Sequence, residues 1–72
     1  GLMLSEADFA TIAAEVKARS GSVLTREMAG AIEIRLQPLA RRDGFTTIGD
    51  YVAAARGRVD GAIWSAIADS LA

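Results

Sequence analysis

Apolar residues recur along this chain at spacings of three and four, and no run alternates apolar and polar positions in the manner of a half-buried strand. The stretch that organises the pattern is Thr25 to Gly44, TREMAGAIEIRLQPLARRDG. Read as a helix, it places Met28, Ile32, Leu36 and Leu39 on one core-facing stripe, with spacings of four, four and three. At about 100° per residue, Arg35 and Arg42 fall on the flank of that stripe, while Gly30, Ile34, Gln37 and Arg41 point the other way. Pro38 has no N–H to give the Ile34 carbonyl, so the pattern predicts a kink or a restart there. Arg41 and Arg42 followed by Gly44 have the order expected at a helix end, cations near the negative pole of the dipole and glycine just beyond.

Three further helices are predicted around this one. Ser5 and Asp8 have the spacing of a capping box, Leu4 and Phe9 that of a hydrophobic staple, and Phe9, Ile12, Ala13 and Val16 form the inner stripe of a first helix that ends at Gly21. In the short link that follows, Val23 and Leu24 are expected to plug the end of the core, and Thr25 to cap the second helix. Phe45 is expected to cover the bottom of the bundle. Thr47 and Asp50 open a third helix, with Ile48, Tyr51, Val52 and Ala55 inward and Gly57 as its stop. A fourth begins near Asp60 and carries Ile63, Trp64, Ile67 and Leu71. It reaches the last residue with its final turn still apolar and without a stop signal, and so reads as an element cut at a boundary. The pattern therefore predicts an all-α fold, a small bundle of four short helices forming a single domain over residues 1–72. Its core should include Phe9, Ile12, Val16, Ile32, Leu36, Leu39, Val52 and Ile67, and it should be monomeric or weakly associating.

Length narrows the chemistry. A chain of 72 residues removes only about 60% of its unfolded surface on folding and has no room for a large catalytic cleft. There is no Cys and no His, which removes the commonest zinc ligands, a thiol nucleophile and the usual imidazole base. The carboxylates look like caps and solvent-facing charges rather than a converging acid and base pair. Gly57 and Gly61 follow no strand and precede no Lys-Ser/Thr, so they make no phosphate loop. Trp64 reads as a core residue rather than a stacking platform.

Eight basic against nine acidic residues give a net charge of −1, which argues against DNA as the partner of a helix-turn-helix made from the second and third helices. No stretch approaches the roughly 20 apolar residues of a membrane span, and GLML is too short for a signal peptide. Gly1 stands where a natural chain would carry Met and reads as a cleavage scar. Without disulfides, the expected compartment is the cytoplasm. Two accounts of Arg35, Arg41 and Arg42 stand side by side: they solubilise a helix and complement its dipole, or they hold an acidic partner through their planar forks of donors.

The order Phe9, Ile12, Val16, Ser20-Gly21-Ser22-Val23-Leu24, then Ile32-Glu33-Ile34-Arg35-Leu36, Leu39 and Arg41, then Gly44-Phe45, Ile48 and Tyr51 resembles the N-terminal all-α domain of the CheR-type chemotaxis receptor methyltransferases. The resemblance covers nearly the whole chain. Its most specific parts are the Gly-x-Val-Leu link and the Arg-Leu pair followed by a basic turn and a glycine. It implies a substrate-recognition domain that precedes a separate domain binding S-adenosylmethionine and methylating glutamates on chemoreceptor cytoplasmic helices. It also implies that arginines of the second helix meet the acidic receptor, and Arg35 and Arg41 match those positions; Arg42 joins them as the better co-facial partner of Arg35. Arg35 and Arg41 themselves lie about 120° apart on an ideal helix. Met28 stands where the family usually has a basic residue, and Pro38 where it often has another arginine, so the basic face is thinner here. The partners implied are a methyl-accepting chemotaxis receptor or another acidic protein, and the catalytic domain of the parent chain. Nucleic acid and membrane insertion are not implied. No catalytic, metal-binding or cofactor-binding residue is expected in this segment, and no binding of S-adenosylmethionine by it alone, because no Gly-rich βα turn is present to hold the cofactor. A self-contained helical interaction module without an enzymatic partner is the other reading of the same residues.

Overall fold

The computed structural model describes residues 4–72, so Gly1 lies outside the described residues. The described chain is an all-α bundle of four helices: α1 (Glu6–Ser20), α2 (Ala29–Arg42), α3 (Ile48–Gly57) and α4 (Ala62–Leu71), with one 3₁₀ turn, Arg26–Met28, leading into α2. Local chemistry accounts for most of the boundaries. Ser5 Oγ accepts from the Asp8 N–H at 3.1 Å, and Thr47 Oγ1 from the Asp50 N–H at 3.0 Å, so each hydroxyl satisfies one of the donors that a helix start leaves over. Gly21, with a positive φ of 78°, closes α1 by donating to the Lys17 carbonyl at 2.9 Å.

The end of α2 is a Schellman motif. Gly44 takes φ 89° and donates to the Arg41 carbonyl at 3.0 Å, while the Phe45 N–H reaches back to the Ala40 carbonyl at 2.8 Å. That reversal turns Phe45 onto the bundle, where its half-buried ring meets the fully buried Tyr51 ring at 5.6 Å between centroids and 51° between planes, a tilted contact.

The core comprises Leu4, Ile12, Val16, Ile32, Leu36, Ala40, Ile48, Tyr51, Val52, Ala55, Ile63, Trp64, Ile67 and Ala68, with Phe9, Leu24, Leu39, Phe45 and Leu71 packed around it. The expected inner faces of all four helices are therefore present. The structure revises several details of the pattern. Met28 is 42% exposed rather than buried, because it sits in the 3₁₀ turn. With three residues per turn instead of 3.6, that turn breaks the phase extrapolated back from Ile32. The α2 stripe instead continues from Leu36 to Ala40, leaving Leu39 at its half-buried edge. Thr25 has the extended backbone of a cap, φ −111° and ψ 162°, but its side chain makes no capping bond; only its carbonyl is used, by the Met28 N–H. Leu24 does pack on the core, whereas Val23 is 64% exposed and plugs nothing.

Pro38 does not restart α2, which runs continuously through it. Ile34 and Pro38 are both exposed, so water can serve the carbonyl that the missing N–H leaves free.

Nor is α2 alone at the centre. α1 packs chiefly against α4, and α4 is also the main partner of α2. Arg35 beside Ser70 and Ala62 beside Arg42 show α2 and α4 running antiparallel. Replacing Ile32, which is almost fully buried, by Ala should cost about 2–5 kcal/mol, a large part of what so small a domain has. Urea unfolding of the variant checks this, and an unchanged midpoint would remove Ile32 from the core.

Candidate functional site

The three arginines singled out by sequence have separate surroundings. Arg35 lies on the α4 flank of α2, and its Nη1 donates to the Ser70 carbonyl at 3.1 Å, taking up one of the acceptors left open at the end of α4. It is thus a cation set against the negative pole of a neighbouring helix. Arg42 lies on the same flank two turns later, near the start of α4; its Nε approaches Asp43 Oδ1 at 3.2 Å, and its side chain remains 61% exposed. Arg35 and Arg42 share the flank of α2 that borders α4, and both side chains remain exposed there. Arg41 is exposed and makes no ion pair or hydrogen bond among the described residues. It continues the outer face of α2 that carries Ile34, which is 75% exposed. Seven residues apart, the two side chains point about 20° from each other.

A second group of arginines was not anticipated. Arg19 from the last turn of α1, Arg56 from the last turn of α3 and Arg58 from the link to α4 line one open groove with Thr11, Glu15 and Trp64. Arg19 Nε bonds Glu15 Oε2 at 3.3 Å. Its guanidinium lies over the link, since a β-carbon added to Gly61 would fall 3.1 Å from one of its nitrogens. Arg56 and Arg58 have no hydrogen bond or ion pair among the described residues. The sequence shows Arg56-Gly57-Arg58 as a basic pair at a helix end, but the convergence with Arg19 depends on how α1 crosses α4.

The carboxylates serve local structure. Glu33 Oε1 accepts from the Leu4 N–H at 3.2 Å, joining the start of α1 to α2, and Asp60 Oδ1 accepts from the Ala62 N–H at 3.1 Å, supplying the start of α4 that Gly61 leaves without a side-chain cap. Glu6 pairs with Arg26 at 2.9 Å across an exposed surface, a contact of small energetic weight. Among the described residues, no group of three or more Asp, Glu, His or Cys side chains could hold a metal ion. No helix is long and apolar enough to cross a membrane. Comparison with family models, curated proteins and solved structures yields no match to this chain.

Tyr51 is fully buried, and its hydroxyl makes no well-formed hydrogen bond among the described residues, although the Asp43 carboxylate and the Arg42 guanidinium lie near enough to act on it. Burial raises its pKa above the ordinary 10.0, the nearby negative charge of Asp43 raises it further, and Arg42 opposes them. The folded state therefore holds the phenol proton more tightly than the unfolded chain does. Stability is insensitive to this group below pH 10.0 and falls as the pH rises beyond it. Tyr51→Phe should keep or raise stability at neutral pH, because it removes a buried hydroxyl without a well-formed hydrogen bond among the described residues, and should flatten the alkaline decline. Thermal unfolding of parent and variant across the alkaline range measures both effects, and a marked loss of stability in the variant at neutral pH would show that the hydroxyl has a partner.

Proposed function

We propose that this domain recognises an acidic helical protein through the outer face and last turn of α2. In the fuller form of this reading it is the substrate-recognition domain of a chemotaxis protein-glutamate O-methyltransferase acting on chemoreceptor cytoplasmic helices. The observation that carries the recognition step is the exposed, unpaired Arg41 on the same face as the exposed Ile34, with Arg42 beside it and largely in solvent. An apolar anchor next to guanidinium groups suits a partner helix that offers carboxylates around a small apolar patch. The methyltransferase context is supported by the resemblance of the Gly-x-Val-Leu link and the Arg-Leu pair, and by the agreement between the helical order expected for such a domain and the helices formed.

In this reading S-adenosylmethionine belongs to a separate domain of the parent protein. The described residues include no strand, and so no βα turn of the kind that holds the cofactor. No residue of this segment is assigned to it.

The alternative, a stand-alone helical interaction module, uses the same surface. It is favoured by the exposure of Ile34, an apolar side chain available to any helical partner. The sequence that follows in the parent gene separates the two: a strand, a glycine-rich turn and a helix belong to the methyltransferase reading.

Binding of chemoreceptor cytoplasmic fragments, at low and moderate salt, tests the recognition step. Arg41→Glu and Arg42→Glu should each weaken it about tenfold, by turning attraction into like-charge repulsion, and the parent affinity should fall as salt rises. Arg35→Glu should act mainly on stability, through loss of the Ser70 contact. Equal affinity of all three variants and the parent would return these arginines to a solubilising role.

A further inference from the structure

The groove bounded by Arg19, Arg56 and Arg58 lies away from the outer face of α2 and is not needed for the reading above. Its volume is about 540 Å³ and it is open to solvent along its length. Three elements build it: α1 contributes Thr11, Glu15 and Arg19, the end of α3 and its link contribute Arg56 and Arg58, and α4 contributes Trp64. The backbone changes from helical at Arg56 to extended at Arg58, φ −97° and ψ 139°, across Gly57. This places two arginines along the rim instead of stacking them on one helix face. Neither has an intramolecular partner among the described residues, while Arg19 is already paired with Glu15 and lies close to Gly61.

Two unpaired guanidinium groups beside one already neutralised make a surface of moderate positive charge with a carboxylate at its edge. Glu15 repels a dense polyanion, and the net charge of −1 gives no broad field to draw nucleic acid in. The floor contains Ala14, Ala55 and the edge of Trp64, which suit small apolar side chains. We propose that this groove is a second binding site that takes an acidic polypeptide segment in which carboxylates alternate with small residues. Arg56 and Arg58 bind the carboxylates, and the small side chains lie over Ala55 and Trp64.

Trp64 is the sole tryptophan of the chain, so its fluorescence and its indole N–H resonance report directly on the groove. The probe is a capped peptide of alternating glutamate and alanine, compared with the same peptide carrying glutamine, with inorganic phosphate and with a single-stranded oligonucleotide. The glutamate peptide should shift the Trp64, Arg56 and Arg58 resonances saturably, and the effect should diminish as salt is raised. The double variant Arg56→Gln/Arg58→Gln should bind it about tenfold more weakly while melting with the parent, since both side chains are exposed and unpaired. Arg41→Glu should bind it as the parent does, which separates this groove from the outer face of α2. Absence of any shift, equal shifts with the glutamine peptide, or tighter binding of phosphate or oligonucleotide than of the glutamate peptide would each overturn the proposal.

Discussion

The apolar face of α4, formed by Ile63, Trp64, Ile67 and Ala68, is the surface on which both α1 and α2 rest, and the remainder of the bundle follows from that packing. α1 sets Ile12 and Val16 into the shared core, α2 sets Ile32, Leu36 and Ala40, and Ile48, Tyr51, Val52 and Ala55 of α3 complete it. Polar contacts reinforce both ends of α4. At its C-terminal end, Arg35 of α2 donates to the Ser70 carbonyl; at its N-terminal end, Asp60 accepts from the Ala62 N–H. A short helix without a side-chain cap at its N-cap residue would be marginal alone. Here burial of an apolar face and contacts from its neighbours maintain it.

The same arrangement decides which charges remain free. Arg35 and Arg42 share a flank of α2, but that flank faces α4, so one is engaged at Ser70 and the other shares its charge with Asp43. Among the described residues, the guanidinium groups without an ion pair or hydrogen bond are Arg41 on the outer face of α2, and Arg56 and Arg58 where the chain leaves α3 beside the start of α4. A chain with net charge −1 thus presents localised basic surface in two places without a basic character overall. Each place includes an exposed apolar side chain, Ile34 at the first and Ala14 at the second, a combination that favours polypeptide partners over phosphate backbones.

The helices and most of their inner faces were legible because the signals are local: hydroxyl caps at Ser5 and Thr47, glycines at the ends of α1 and α2, and apolar residues three and four apart. What escaped the pattern is tertiary or lies at a change of helix type. Met28 was misplaced because a 3₁₀ turn precedes α2, and nothing in Thr25-Arg26-Glu27 distinguishes that turn from a helical start. Ala40 was not singled out, because the spacing of three after Leu36 led to Leu39, whereas the stripe continues by a spacing of four to Ala40 with Leu39 packed at its edge. The end of α4 carries no local stop; Arg35, thirty-five residues earlier, satisfies its carbonyl. The basic groove was invisible for the same reason, because Arg19 and Arg58 meet only through the crossing of α1 and α4.

The central claim is that α4 joins α1 and α2 into one cooperative unit, and hydrogen exchange on Ile67→Ala tests it most directly. Ile67 is fully buried on the face shared by those helices. If the account is right, the substitution lowers amide protection in α1 and α2 together, by the same free energy and as part of global unfolding. Protection in α1 or α2 that stays at the parent level while α4 loses its own would contradict it, showing that the bundle holds without the helix on which it is said to rest.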